Sequence, residues 1–404
     1  MLLVFGIGLG FALAFAIGAN DVANSMATAV GAKAITPKQA VMIAAVLELL
    51  GAVLFGSHVT STIMKGIVKW DYVSDPNILL LGAMATLIST TVWILIATFW
   101  SMPISTTHSV VGGMMGFGIV AAGWNAVNWM TMLRIAMTWV ISPFFGALLS
   151  FTVFKIISWT ILHKESPYNA AKRYAPYFIA ATFFIIAFLF CSKTLHLDLI
   201  MTIVVSLALS AVSLLISFKI LLTKLASKEP ENEYEEVEKI FRKMQVFTSC
   251  YVSFSHGAND VANAIGPLAL IFAVITTGVA STSVEVPLWI LLLGGAGIAA
   301  GVAALGRKVM KTIGEDITVL NNTRGFAIDF GTATTVLIAS VIGVPVSTTH
   351  TVVGSVTGIG MAKGTEMVNV GVLKNIIYSW LLTVPLVAVC SGALFWVLQK
   401  IIVL

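Results

Sequence analysis

The sequence carries one heptapeptide twice without a change, as Gly18-Ala19-Asn20-Asp21-Val22-Ala23-Asn24 and as Gly257-Ala258-Asn259-Asp260-Val261-Ala262-Asn263. A second motif follows each copy, as Pro103-Ile104-Ser105-Thr106-Thr107-His108 and as Pro345-Val346-Ser347-Thr348-Thr349-His350. The two motifs begin 85 residues apart in the first half and 88 residues apart in the second. Two polar motifs in the same order and at nearly the same spacing predict that the chain is a duplicated unit.

The sequence around these motifs is typical of an integral membrane protein. Of its 404 residues 58% are hydrophobic and 10% are charged, and the mean hydropathy is +0.98. A helix crosses about 30 Å of hydrocarbon with about 20 apolar residues, and such runs occur along most of the chain. They lack the alternation of a β-barrel strand. We therefore expect an all-α polytopic protein of about 10–12 transmembrane helices in the lipid bilayer of the cell membrane.

This composition also excludes several classes of function. A soluble enzyme, a disulfide-rich secreted module and a nucleic-acid binder would each need a far more polar chain. The formal charge of +5 comes from basic residues scattered over loops, which indicates membrane topology rather than a nucleic-acid partner.

The duplication divides the chain into four predicted parts. They are a first transmembrane repeat (1–160), linking helices (161–223), a hydrophilic cytoplasmic connector (224–245) and a second transmembrane repeat (246–404). The apolar stretches at 103–120 and 345–361 are interrupted by polar residues, which predicts broken or re-entrant helices there.

Equivalent loops of the two halves differ in basic content, which favours an inverted arrangement of the repeats. The first half has Lys65 and Lys69, whereas the second has Arg307, Lys308, Lys311 and Arg324.

Asp21 and Asp260 lie deep in apolar sequence, with no Lys or Arg within ten residues on either side. An unpaired charge there costs at least ~2.5 to 3.5 kcal/mol, so each carboxylate needs a cation or a proton. The neighbouring asparagines at 20, 24, 259 and 263 offer neutral oxygen ligands, and the helices could unwind at Gly18 and Gly257. Alternatively, each Asp is protonated and bonded to an Asn at a polar helix interface.

The Pro-x-Ser-Thr-Thr segments predict helix starts inside the membrane, because Pro103 and Pro345 favour the first turn of a helix. Free N–H groups and hydroxyl donors would converge there and bind a tetrahedral oxyanion. Alternatively, these hydroxyls join helices to one another. His108 and His350 could contact the ligand, shuttle a proton or orient a neighbouring helix.

Three further features are candidates. Glu48 and Asp329 are carboxylates in apolar sequence and thus functional suspects. Gly297 and Gly301 form a small-residue face that suits either a homodimer or packing within one chain. A Ser–His catalytic pair could be imagined at Ser105 and His108, but no reaction requires two identical pairs, so we expect no enzyme and no cofactor.

Together, the two duplicated motifs resemble the signature of the inorganic phosphate transporter (PiT) family of sodium- or proton-coupled symporters. The resemblance covers both halves. It implies that Asp21, Asn24, Asp260 and Asn263, with the two Ser-Thr-Thr triplets, bind phosphate and cations. Glu48 and Asp329 match carboxylates important for transport, although many relatives have Glu at the second position. The chain lacks the large central cytoplasmic domain of animal members and so resembles a compact microbial form.

We therefore expect a secondary active transporter that imports inorganic phosphate by symport with sodium at one central site shared by both repeats. A proton-coupled symporter is the alternative, and an anion channel a more distant one. The expected phosphate-binding residues are Asn24, Ser105, Thr106, Thr107, Asn263, Ser347, Thr348 and Thr349. The expected cation-binding or coupling residues are Asn20, Asp21, Glu48, Asn259, Asp260 and Asp329, with sodium at Asp21 and Asp260.

Overall fold

A computed structural model describes residues 2–73, 75–224, 231–278, 286–306, 320–363 and 370–402. Within these ranges the chain forms twelve α-helices and no β-sheet. The helices are α1 (Leu2–Gly31), α2 (Pro37–Gly66), α3 (Pro76–Phe99), α4 (Thr106–Ala122), α5 (Trp129–Ile157), α6 (Pro167–Lys193), α7 (Leu199–Lys224), α8 (Glu233–Thr277), α9 (Leu288–Leu305), α10 (Asn322–Val341), α11 (Thr348–Lys363) and α12 (Val370–Ile401).

The predicted all-α membrane fold is confirmed. Nine of the helices in the described ranges are long and apolar enough to cross a bilayer. The turn between α3 and α4 is buried at Ile104 and Ser105, so it lies inside the protein rather than at a membrane surface. Helix α4 has only 17 residues, about 25 Å, which is less than the hydrocarbon thickness. A short helix that begins inside the protein fits the broken or re-entrant helix that the interrupted stretch predicted.

Four closely packed helix pairs around the two motifs each join a helix of the first half to a helix of the second. The heptapeptides make α1 the counterpart of α8, and the second motifs make α4 the counterpart of α11. Helix α1 packs against α9, and α8 packs against α2. Likewise α4 packs against α12, and α11 packs against α5. The core is therefore built by helices exchanged between the two halves.

Glycines allow these exchanged pairs to approach closely. A methyl group on Gly116 of α4 would lie 2.0 Å from the carbonyl oxygen of Ala388 on α12. The same addition on Gly358 of α11 would lie 2.3 Å from the carbonyl oxygen of Ala147 on α5. These small residues therefore let the helix backbones come into direct contact.

The predicted unwinding at the heptapeptides is wrong, because α1 and α8 continue through them as regular helices. A methyl group on Gly18 would lie 2.0 Å from the Ile298 carbonyl oxygen on α9. On Gly257 it would lie 2.0 Å from the Glu48 carbonyl oxygen on α2. These glycines therefore serve helix contact. The motif side chains find partners on other helices, so no backbone carbonyl needs to be released.

Two other expectations are changed by the packing. Gly297 and Gly301 lie against Ala14 and Phe15 of α1 in the same chain, so they offer no free face to a second copy. A homodimer stays a prediction without this interface. Helix α8 runs as one 45-residue helix across the predicted boundary at residue 245. The basic residues Arg307, Lys308 and Lys311 lie outside the described residues, and the inversion of the repeats stays a prediction.

Candidate functional site

The two heptapeptide aspartates lie at the centre of the protein, and each is bonded to the second motif of its own half. Thr106 Oγ1 donates a hydrogen bond to Asp21 Oδ2 over 2.8 Å. Thr348 Oγ1 donates to Asp260 Oδ2 over 2.9 Å. Both aspartates are fully buried. In each half the N-terminus of a short helix, α4 or α11, thus meets a buried carboxylate.

The two asparagines at the ends of the heptapeptides connect the halves reciprocally. Asn24 Nδ2 donates to Thr349 Oγ1 over 2.9 Å. Asn263 Nδ2 donates to Thr107 Oγ1 over 3.2 Å. Each asparagine also donates to the aspartate three residues before it, over 3.0 Å in the first half and 2.9 Å in the second. These bonds join both halves in one contiguous cluster, which we call the central cluster. It consists of Asp21, Asn24, Thr106, Thr107, Asp260, Asn263, Thr348 and Thr349.

The threonines also tie each half to the loop of the other. Thr107 Oγ1 donates to the Val346 carbonyl oxygen, and Thr349 Oγ1 donates to the Ile104 carbonyl oxygen, both over 3.0 Å. Every side chain of the central cluster has an exposed fraction of 4% or less, so solvent does not reach it in this conformation.

The serines of the Ser-Thr-Thr triplets act as helix caps. Ser105 Oγ accepts a hydrogen bond from the backbone N–H of His108, and Ser347 Oγ accepts one from His350, both over 3.2 Å. This is the bond that satisfies a free N–H at a helix start. The predicted helix starts are confirmed, but Pro103 and Pro345 lie before the capping serines and not in the first turn. The serine oxygens hold the first turns in place.

Asn20 and Asn259 contact the loops that precede the short helices α4 and α11. Asn20 Nδ2 donates to the Met102 carbonyl oxygen over 3.1 Å. Asn259 Nδ2 donates to the Val346 carbonyl oxygen over 2.9 Å. These bonds give both residues a role in positioning the second motifs, and their predicted part in cation binding stays a prediction.

His256 is a buried member of the cluster that the sequence analysis missed. Its Nε2 lies 2.8 Å from Asp260 Oδ2 and 3.9 Å from Asp21 Oδ2, and its Nδ1 lies 3.3 Å from Glu48 Oε1. None of these contacts has the geometry of a directed hydrogen bond. The imidazole therefore lies among three carboxylates, where a protonated ring would supply positive charge. A signal existed in the sequence, since the position before the first heptapeptide is Ile17 and the position before the second is His256.

Glu48 joins the cluster from α2. Its Oε1 accepts a hydrogen bond from Ser25 Oγ over 3.0 Å, and its side chain is fully buried. The contact follows from the close approach of α2 to Gly257 on α8. The structure thus brings this predicted residue next to the two aspartates.

A hard cation would find oxygen ligands here. Ligand atoms of Asp21, His256 and Asp260 all lie within 4.8 Å of one another. In the described part of the chain, the amide oxygens of Asn24 and Asn263 are buried without a hydrogen-bond partner. A buried carbonyl oxygen without a partner costs about 1–3 kcal/mol. The donor set of two carboxylates and two amide oxygens suits a cation that prefers oxygen.

Asp329 is buried elsewhere. Thr28 Oγ1 donates to its Oδ1 over 2.5 Å, and Ser249 Oγ donates to its Oδ2 over 2.6 Å. Thr28 lies seven residues after Asp21 on α1, about 10 Å along the helix. The structure therefore does not bring Asp329 into the central cluster. If Asp329 contributes to coupling, as predicted, it does so from a separate site.

His108 and His350 form a second buried pair. Their ring centroids are 4.5 Å apart. The His108 ring packs against Trp139, and the His350 ring stacks on Trp380 at 3.5 Å. The His350 Nδ1 lies 3.1 Å from the Trp139 carbonyl oxygen. Of the open alternatives, these contacts favour the orientation of neighbouring helices.

Comparison with known proteins identifies the family of this chain. Residues 17–391 match the phosphate transporter family. A candidate phosphate permease of Pyrococcus horikoshii is 50% identical over 395 residues, which cover 97% of each chain. The chloroplastic inorganic phosphate transporter 2-1 of Arabidopsis thaliana is 41% identical over 423 residues, covering 97% of this chain and 71% of the relative.

A solved structure gives the same result. The chain is similar to the structure described as the sodium-dependent phosphate transporter, with a TM-score of 0.95 and 54% identity, over 99% of this chain and 100% of the other. These matches cover nearly the whole length of the chain and include both duplicated motifs. The chain is therefore a multi-pass membrane transporter, not an enzyme, and it belongs to the phosphate transporter family.

Proposed function

We propose that this chain imports inorganic phosphate across the cell membrane by symport with sodium, at one central site to which both repeats contribute. The observation that carries the proposal is the reciprocal pair of bonds from Asn24 to Thr349 and from Asn263 to Thr107. A ligand bound to either Thr-Thr pair would touch side chains of both halves.

The anion would be held by hydroxyl donors and by helix dipoles. Thr106, Thr107, Thr348 and Thr349 lie in the first turns of α4 and α11, where free N–H groups and the positive end of the dipole favour an oxyanion. In inverted repeats these two helix starts would face the phosphate from opposite sides. No Lys or Arg is needed, which leaves the affinity dependent on a bound cation.

Sodium coupling follows from the charges of the cluster. Phosphate brings about one to two negative charges toward Asp21, Asp260 and Glu48, which are all buried. Repulsion inside a site of low dielectric constant would prevent loading unless cations enter as well. The amide oxygens of Asn24 and Asn263 would complete the cation ligands. The similar solved transporter is described as sodium-dependent, which supports sodium as the cation.

Proton coupling is the second candidate, and His256 is the observation that favours it. An imidazole between three carboxylates could bind and release the coupled proton. An anion channel has less support, because a channel has no need of three buried carboxylates beside its anion site.

Uptake into proteoliposomes tests the proposal. Labelled phosphate should accumulate when an inward sodium gradient is imposed at equal pH, and should leave the vesicles when the gradient is reversed. Empty liposomes serve as the control. Uptake that follows an imposed proton gradient and ignores sodium would establish the second candidate. Flux that ignores both gradients would indicate a channel.

A further inference from the structure

A cavity of about 480 Å³ lies beside the Pro-x-Ser-Thr-Thr-His motif at 345–350 and outside the central cluster. Three elements line it, namely the C-terminal end of α2, the first turns of α5 and the loop before α11. Its lining includes Thr62, Thr131, Arg134 and the segment Gly343–Pro345.

The wall of this cavity is continuous with the backbone of the central cluster. Thr62 Oγ1 donates to the Gly343 carbonyl oxygen over 2.7 Å, and Thr138 Oγ1 donates to the Pro345 carbonyl oxygen over 3.2 Å. Pro345 precedes Ser347 by two residues, a span of at most about 7 Å. An anion in the cavity would therefore need to move only a short distance to reach the start of α11.

Arg134 supplies positive charge to the cavity. Its side chain is exposed, and no carboxylate in the part of the chain that the structure describes forms an ion pair with it. A guanidinium offers forked donors that match the oxygens of a phosphate group.

The position of Arg134 along α5 indicates the side to which the cavity opens. Lys155 lies 21 residues further along the same helix, about 30 Å away. Lys155, Lys164, Lys172 and Arg173 flank one connection, which the positive-inside rule assigns to the cytoplasm. The Arg134 end of α5 would then face the outside.

From this geometry we propose that the cavity is an external capture site, where the Arg134 guanidinium and the Thr131 hydroxyl bind a phosphate oxyanion before it passes to the central cluster. The inference rests on the proposed function, since it requires phosphate to arrive from outside. An anionic lipid headgroup shares the same chemistry. We assign the site to free phosphate because its wall is the loop that ends at Ser347.

The test compares Arg134→Gln with Arg134→Lys and with Lys155→Gln, which removes one charge from the other end of the same helix. In sodium-driven uptake, Arg134→Gln should raise the half-saturating phosphate concentration about threefold to tenfold at low ionic strength, with the maximal rate unchanged. Arg134→Lys should recover part of the loss, and Lys155→Gln should match the wild type. The difference between Arg134→Gln and the wild type should shrink as salt is added.

Distinct results would overturn the capture site. One is an unchanged half-saturation in Arg134→Gln, and another is an equal change in Lys155→Gln. A fall in maximal rate at constant half-saturation would instead make Arg134 a structural residue. An effect seen in vesicles containing phosphatidylglycerol but absent in pure phosphatidylcholine would assign the cavity to lipid. A wild type without sodium-driven uptake would refute the proposed function itself, which separates the two failures.

Discussion

At the scale of single residues, the central problem is charge. Asp21, Glu48 and Asp260 are buried together, and His256 is the one basic side chain that the structure shows among them in its described ranges. One imidazole cannot neutralise three carboxylates. The remaining negative charge would require a coupled cation under the proposed function, so we expect replacement of either aspartate to affect coupling more strongly than folding.

Asp21→Asn and Asp260→Asn should each abolish sodium-driven phosphate uptake while the protein still inserts and folds. Asparagine keeps the shape of the side chain and removes the charge that would hold the cation. Uptake into proteoliposomes, normalised to the amount of reconstituted protein, measures the effect. Glu235→Gln on the exposed start of α8 is the matched control. Normal sodium-driven uptake by either Asp variant would contradict the assignment.

Paired replacement of Thr106 and Thr107 by Val, or of Thr348 and Thr349 by Val, should weaken phosphate binding. Valine keeps the shape and deletes the hydroxyl, and each lost bond costs about 1 kcal/mol, roughly a fivefold increase in half-saturation. The exposed Thr276→Val on α8 is the control. Unchanged half-saturation in both double variants would mean that these hydroxyls only join helices.

His256→Gln should lower the thermal midpoint of unfolding in sodium-free buffer, because the three carboxylates lose the imidazole that lies among them. Added sodium should raise the midpoint more in this variant than in the wild type, since a bound cation then replaces the imidazole. The exposed His163→Gln is the control. The same midpoint and the same response to sodium in variant and wild type would remove His256 from this role.

At the scale of elements, the fold depends on backbone contacts between helices of different halves. Helices α1 and α9 meet at Gly18, and α8 and α2 meet at Gly257. Such contacts leave no room for a side chain, so they set the distance between the helices that carry the aspartates. The geometry of the central cluster is therefore coupled to helix packing.

Gly18→Ala should destabilise the protein by about 1–3 kcal/mol, because its methyl group would force α1 away from α9. Gly8→Ala on the same helix is the control, since a methyl group there meets nothing within 4 Å. That substitution should be neutral or stabilise the helix by up to about 1 kcal/mol. Thermal unfolding of both variants in detergent measures the difference. Equal midpoints would show that α1 and α9 do not approach as closely as described.

At the scale of the whole molecule, the exchange of helices between halves makes neither half self-sufficient. Helix α4 of the first half packs against α12 of the second, and α11 of the second packs against α5 of the first. The two helix starts that would hold phosphate are consequently supported by both repeats.

Equilibrium binding of labelled phosphate in saturating sodium should give one phosphate per chain. Replacing Asp260, Thr348 and Thr349 together should abolish binding rather than halve it, because the first half alone would lack a complete site. Binding without sodium is the control and should be much weaker. Two phosphates per chain, or half of the binding retained in the triple variant, would refute a shared site.

Much of this protein could be predicted from the sequence, because the relevant physics is local. Long apolar runs require helices in a bilayer, and Ser105 marks a helix start because its hydroxyl caps the first turn. The identical heptapeptides identify Asp21 and Asp260 as a pair without any structure. The repeated motifs likewise predict the duplication, and the polar interruptions predict the short helices α4 and α11.

Tertiary structure decided which of these residues act together. His256 lies in the cluster because α8 stays helical and packs against α2, which carries Glu48. Asp329 lies outside it because its hydrogen-bond partners are Thr28 and Ser249. The continuity of α1 and α8 through Gly18 and Gly257 was likewise not predictable. In each case the deciding contact joins residues far apart in the chain, and its energy depends on the distance between two helices, which no local pattern of residues encodes.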